Sequence, residues 1–420
     1  MKIKNVMVAQ SGGPTSVINS SLLGIYEQSK KMGALKVYGA CNGVEGALAG
    51  NFVDLDEVFS KVNSEILMQT PACFLGSCRK RLPGVVTDEN ELSELKFDEV
   101  LVYKNLAMLF ERLNISAFFY IGGNDSMETV WKLSSFFSNY DGFSGVKFLG
   151  VPKTIDNDLA KTDHCPGFGS AAKFVATTFL ELDRDLSVYL KPSVTIVEVM
   201  GRDAGWLTAA SALSRLNGAK GPDLIYCCES KFSLNNFLTA VEQGLVKNKN
   251  GRVFVAVSEG LHLKNRLSQN NLNFKDDFEH ICNLGVARNL ELSVFKHLGC
   301  KVRSFELSLL QRSSAHLVSK VDVLEAKEVG KAAVNFAYAG KTGVMVTIKR
   351  ISTKPYLVEF SCVDVSEVAG KVKKMPVSFL LGDSDVSNEA IEWLTPLIQG
   401  QLSTVFENGL PKHLILNHYE

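Results

Sequence analysis

The sequence predicts an α/β protein of two doubly wound, mostly parallel sheets, with its chemistry at the carboxyl ends of the strands. Three observations predict it. Short apolar runs recur, each followed by a glycine-containing or polar loop and a helical pattern. Those runs are nearly continuous, as strands covered by helices on both faces must be. The chain has 420 residues, more than one ordinary core supports, so two domains are expected.

Taken in order, Asn5 to Ala9 is a first strand. Ser11-Gly12-Gly13-Pro14 turns the chain, and Ile18, Leu22 and Ile25 mark a helix face ending near Gly33. Ser116 to Ile121 is a second strand, followed by Gly122-Gly123-Asn124-Asp125-Ser126 and a helix through Trp131. Lys147 to Val151 is a third, leading into Pro152-Lys153-Thr154-Ile155-Asp156-Asn157-Asp158. Val194 to Val199 is a fourth, leading into Met200-Gly201-Arg202 and a helix containing Trp206. Val253 to Val257 is a fifth, ending in Ser258-Glu259-Gly260. Residues 1–165 with 310–370 are expected to form one domain and 166–309 a second. Residues 371–420, with Val386, Ile391, Trp393, Leu394 and Leu397, are expected to form a packed helical extension.

The bulk numbers exclude several classes. Lys+Arg and Asp+Glu balance at 45 each, which gives no support for a nucleic-acid or membrane-surface partner. No run approaches the roughly 18 apolar residues that span a bilayer. The start, MKIKNVMVAQ, reads as a strand rather than a secretory signal. Nine cysteines lack paired metal spacing, and the adjacent Cys227 and Cys228 suit no disulfide framework. Reduced thiols in the cytoplasm are expected.

The polar loops all follow strand carboxyl ends, where such folds bind ligands. Gly12-Gly13 lets backbone N–H groups approach an anion; such a turn also serves packing alone. In the second loop, Asn124 and Asp125 offer oxygens to a hydrated Mg²⁺, and Asp125 or Ser126 equally suits a helix N-cap. The third loop combines two carboxylates, Asp156 and Asp158, with Lys153. That set suits phosphoryl transfer: a base for a hydroxyl, an acid near a metal and a cation for phosphate. An Asx-turn and a solvated lysine are the plainer alternatives. Thr154 can bond a phosphoryl oxygen or brace the loop. Arg79, Arg202, Arg303 and Arg312 are candidates for phosphate oxygens, and Glu229 and Glu259 for sugar hydroxyls. Thr162 to Lys173 orders a loop or starts a helix. His164 reads as structural, since no partner carboxylate is apparent.

Together and in this order, GGPT, GGNDS, PKTIDND, MGR, SEG and LQR resemble the phosphofructokinase family over nearly the whole chain, and most closely its pyrophosphate-dependent branch. Relatives that use ATP typically carry glycine at the positions of Asp125 and Lys153. A carboxylate at Asp125 repels the α-phosphate of a nucleotide, and a cation at Lys153 compensates the dense charge of pyrophosphate. The resemblance implies two Rossmann-like domains with the active site in the cleft between them. The first would hold the phosphoryl donor and the second the sugar phosphate. It implies reversible transfer from pyrophosphate to the 1-hydroxyl of fructose 6-phosphate, with Mg²⁺. An ATP-dependent enzyme and a non-catalytic regulatory subunit of the same fold are the alternatives.

The implied roles are these. Gly12, Arg79, Asp125 and Lys153 meet the donor. Asp156 takes the proton from the sugar hydroxyl, with Lys153, Asp125 and Arg202 completing the catalytic set. Thr154, Ile155, Met200, Gly201, Arg202 and Glu229 hold the sugar phosphate, with Leu309 and Arg312 from the LQR segment. Arg303 is a candidate for its 6-phosphate, within one subunit or from a neighbouring one, so a homodimer or homotetramer is expected. Asn124 and Asp158 would hold the metal. Four positions depart from the family pattern. Asn124 replaces the usual metal-binding aspartate. Ser308 and Leu309 stand where relatives often have glycine and histidine or tyrosine. Ser193 stands where many relatives have an arginine, with Lys191 nearby as a substitute.

Overall fold

The computed structural model describes residues 4–84, 95–139, 145–263, 274–275, 281–282 and 285–418. The chain forms β1 (Asn5–Gln10), α1 (Ile18–Lys31), β2 (Lys36–Ala40), β3 (Phe52–Asp54), β4 (Ile115–Gly122), α2 (Asn124–Asn139) and β5 (Lys147–Pro152). It continues through α3 (Phe168–Ser187), β6 (Ser193–Val199), β7 (Leu224–Tyr226), β8 (Arg252–Ser258) and β9 (Lys301–Glu306). It returns through α4 (Lys320–Tyr338), β10 (Val344–Thr353) and β11 (Tyr356–Asp364). All five strands expected from sequence are present.

A seven-stranded sheet runs in the order β11-β10-β5-β4-β1-β2-β3. Its centre is parallel, and β3 and β11 lie antiparallel at its two edges. A four-stranded parallel sheet runs β9-β6-β8-β7. The buried strands explain their own sequences: Val6, Val8, Phe119 and Ile121 pack on one face of the large sheet, and Met7, Phe118 and Tyr120 on the other. Helices cover both faces, so these central strands stay apolar throughout.

Two helix contacts position the loops. On α1 a Cβ at Gly24 would sit 2.0 Å from the Lys327 carbonyl oxygen, and one at Gly330 on α4 would sit 2.3 Å from that of Ser21. The backbones of α1 and α4 therefore touch, which only glycine permits. The buried carboxylate of Asp322, on α4, accepts from the N–H groups of Gly167 (2.9 Å) and Ser170 (2.8 Å). The Thr162–Lys173 segment is thus a helix start whose amino end is satisfied by Asp322.

The expected C-terminal helical extension is packed but mostly not α-helical. Its α-helix covers Asn388–Leu394, and the remainder is 3-10 turns and two-residue strand pairs. Pro376, Pro396 and Pro411 each remove a helical N–H donor. Val386, Leu394 and Leu397 are buried with Phe168 and Trp206 of the smaller sheet's core, and the Trp206 and Trp393 ring centroids are 4.9 Å apart. The helix expected around Trp206 is a single α turn, Trp206–Ala210, continued as a 3-10 helix over Ser211–Asn217.

Candidate active site

The loops after β1, β4, β5 and β6 converge on a cavity of about 420 Å³, a volume typical of small-molecule sites. Arg79, Arg81, Lys153, Arg202 and Arg312 line it together with Asp125, Glu128, Asp156, Asp158 and Asp203. Five cations facing five carboxylates suit a ligand that is strongly anionic at one end and exchanges protons at the other.

One end of the cavity is built from three loops tied to one another. Gly12 adopts φ +74°, its N–H donates to the Cys78 carbonyl (3.1 Å), and its own carbonyl accepts from the Ser77 hydroxyl (2.7 Å). Lys153 is 3% exposed, and its ammonium donates to the Gly13 carbonyl at 2.6 Å. Burial lowers the Lys153 pKa. The Lys153 N–H donates to the Gly122 carbonyl (3.0 Å), which joins the second and third loops. Arg81 pairs with Asp125 at 3.0 Å. A Cβ on Gly13 would lie 2.9 Å from Arg312 Nη1, so the LQR arginine closes over the glycine turn.

The carboxylates occupy a sharp turn. The Asp156 N–H donates to Thr154 Oγ1 (3.1 Å), and Asn157 sits in the left-handed region at φ 55°. That turn presents both Asp156 and Asp158 to the cavity. Burial first, then Asp158 and Glu259, raise the Asp156 pKa well above the carboxylate range; burial raises Asp158 as well. Asp156 Oδ1 is buried and has no hydrogen-bond partner among the described residues.

The other end begins at β6. Gly201 has φ +125°, and its N–H donates to Glu259 Oε1 (3.2 Å). A Cβ on Gly260 would fall 2.0 Å from the Arg202 carbonyl oxygen, so the loops after β6 and β8 meet backbone to backbone. Met200 and Arg202 reach the cavity, as do Thr154 and Ile155.

Other expected residues lie elsewhere. Gly201 and Glu229 do not line the cavity. The Glu229 carboxylate instead accepts from the N–H groups of Gly205 (3.1 Å) and Met375 (3.0 Å). Arg303 pairs in register with Thr195, four residues before the carboxyl end of β6, and so lies about 13 Å back along the strand. Ser193 and Lys191, at the amino end of β6, are farther still. Leu309 is 56% exposed and does not line the cavity. Ser308 adopts φ +38°, a conformation that glycine takes without strain.

Asn124 lines the rim, but both ends of its amide are engaged. Its Oδ1 accepts from the Gly370 N–H (2.7 Å) and its Nδ2 donates to the Lys371 carbonyl (2.7 Å). Asp156 and Asp158 are among the cavity's remaining hard oxygen donors, and they suit Mg²⁺, which commonly takes one or two carboxylates plus substrate phosphates. The unpartnered Asp156 Oδ1 fits such a use. Among the described residues no cluster of three or more His, Cys, Asp or Glu forms an all-protein metal cage.

His164 is structural, for a reason opposite to the one the sequence suggested. It is 1% exposed and bonded to two carboxylates, Asp163 at 2.8 Å and Glu325 at 2.7 Å. Sequence reasoning also missed Arg81, Glu128 and Asp203. Arg81 stands two residues from Arg79, and Asp203 directly follows Arg202; the two-residue spacing of an extended loop was the available signal.

A family model described as Phosphofructokinase matches residues 5–337. The chain is 39% identical over 403 residues to the pyrophosphate–fructose 6-phosphate 1-phosphotransferase of Rhodospirillum rubrum, covering 94% of each chain. It is 36% identical over 413 residues to the enzyme of that name from Halomonas elongata, covering 97% of this chain and 95% of that one. It superposes on the crystal structure of a pyrophosphate-dependent phosphofructokinase from Marinobacter aquaeolei with a TM-score of 0.83 at 35% identity, covering 98% of this chain and 95% of that one. Identity to the ATP-dependent 6-phosphofructokinase of Propionibacterium freudenreichii is 24%, covering 89% of this chain and 94% of that one.

Proposed function

The chain belongs to the phosphofructokinase family, and within it we propose a reversible pyrophosphate-dependent enzyme. It moves a phosphoryl group from pyrophosphate to the 1-hydroxyl of fructose 6-phosphate. The products are fructose 1,6-bisphosphate and phosphate. The observation that carries this reading is the buried Lys153 ammonium held against the Gly13 carbonyl, with the Asp125–Arg81 pair beside it. A cation inside the glycine loops favours a compact, highly charged donor, and the carboxylate of Asp125 disfavours the extended phosphate chain of a nucleotide.

In this reading Gly12, Arg79 and Lys153 hold pyrophosphate. Met200 and Arg202 hold the sugar phosphate, with Thr154 and Ile155 beside its reacting end. Asp156 accepts the proton of the 1-hydroxyl as that oxygen bonds the terminal phosphorus. The bridging P–O bond breaks, and phosphate leaves with the electron pair. Arg312 and Lys153 stabilise the charge on the phosphoryl oxygens, so the rate comes from placement and electrostatics. Asp158 would hold Mg²⁺, which would supply charge neutralisation of the phosphoryl oxygens.

Arg303 stands on β9, the edge strand of the smaller sheet, away from this cavity. It fits a sugar-phosphate contact made to a neighbouring copy, so the working form is proposed as a homodimer or homotetramer. The free thiols of the described cysteines suit the cytoplasm. Among the described residues no helix is long and apolar enough to cross a membrane.

The test is steady-state formation of fructose 1,6-bisphosphate with Mg²⁺ and either pyrophosphate or ATP as sole donor. Product with pyrophosphate is expected. Turnover with ATP alone would overturn the donor assignment.

A further inference from the structure

Lys371, Lys373 and Lys374 lie close together in the sequence. Lys371 and Lys374 are exposed, whereas Lys373 turns inward. Its ammonium donates to Asn157 Oδ1 (3.0 Å) and to the carbonyls of Thr162 (3.0 Å) and Asp163 (2.8 Å). All three of its donors are thereby matched, the full capacity of an ammonium. It also lies 5.2 Å from the centre of the Trp206 ring, within cation–π range.

The backbone around it is fixed residue by residue. Gly370 and Lys371 are held by the Asn124 amide. Val372 bridges to Leu159, and the Lys373 N–H donates to the Asp158 carbonyl at 2.7 Å. The Lys373 carbonyl accepts from Trp206 Nε1 (3.2 Å), and Met375 is held by Glu229. Residues 370–375 therefore form a strap across the cavity rim. It ties the loops after β4 and β5 to the smaller sheet's loops.

Asn157 is the residue between the two carboxylates. Its left-handed backbone makes Asp156 and Asp158 face the same cavity, and its side chain is fully buried. We infer that Lys373 is a positioning residue for phosphoryl transfer: through Asn157 and the Asp158 carbonyl it fixes the turn that aims the Asp156/Asp158 pair. This rests on the phosphotransferase reading above. A lysine that merely fastened the C-terminal segment would affect stability and leave the folded enzyme's turnover alone. One that aims the carboxylates affects kcat, because a misplacement on the order of 1 Å can slow an oriented reaction about 100-fold.

The experiment compares the full-length wild type with Lys373→Met and Lys373→Ala in the pyrophosphate reaction. The folded fraction is measured by near-UV circular dichroism. The expected result is a kcat lowered by roughly 10- to 100-fold with KM for both substrates within about twofold, and partial recovery of Lys373→Ala by propylammonium. Unchanged kcat, or a loss confined to KM, would overturn the inference. If neither variant folds, Asn157→Gly carries the test, since it keeps the left-handed turn and removes the ammonium's acceptor. It is expected to lower kcat comparably, and wild-type kcat in it would overturn the inference. A wild type inactive with pyrophosphate would instead reject the phosphotransferase reading.

Discussion

The Lys153 ammonium meets the Gly13 carbonyl at 2.6 Å, so one buried cation joins the loop after β5 to the loop after β1. Substituting it tests whether that cation serves the donor. Lys153→Gly should lower kcat/KM for pyrophosphate by about 10²–10³. Calorimetric binding of fructose 6-phosphate should be retained.

Asp156 is proposed as the base, and its raised pKa suits proton transfer near neutrality. Asp156→Asn keeps the shape and removes the basic oxygen. Its kcat should fall by about 10²–10⁴, with sugar-phosphate affinity little changed. Wild-type turnover in that variant would remove Asp156 from its role.

Gly13→Ala would place a Cβ 2.9 Å from Arg312 Nη1. The guanidinium is the free end of a flexible side chain and can shift, so stability should hold within about 1 kcal/mol. Turnover should still drop, because Arg312 leaves the phosphoryl oxygens. Melting temperature and kcat measured on one preparation separate the two effects.

His164 predicts a pH dependence of stability. Burial opposes its charge, but Glu325 and Asp163 outweigh burial and raise its pKa from 6.5 to about 9. Tyr356 and Arg350 complete the surrounding groups. The folded state therefore holds a proton that the unfolded state releases between those values. The contribution is full below about pH 6.5 and is lost as pH rises through 9, a change of roughly 3 kcal/mol. Melting temperature should decline over that window, and the decline should be shallower in His164→Gln.

The parts of this molecule that sequence reveals are the parts made by local pattern. β4 and β8 are buried on both faces, so their apolar runs stand out, and the loops that follow them carry recognisable polar residues. β10 and β11 stand out less: Tyr356–Asp364 has no fully buried position and lacks a continuous apolar run. Lys373 and Glu325 owe their partners to residues some 160 to 220 positions away. No spacing within the chain reports such a meeting. Asn124 shows the same limit: the residue type suggests a weakened ligand, while the structure shows an amide clamp.

The order of synthesis runs against the order of assembly in the large sheet. β5 leaves the ribosome about 190 residues before β10, the strand that covers its edge, and α1 waits still longer for α4. At roughly 5–20 residues per second that is about ten to forty seconds. During it the nascent chain carries an open strand edge and an uncovered glycine groove. The vulnerable species is thus the half-made chain, whose aggregation should depend on translation speed and chaperone supply more than on the stability of the finished enzyme.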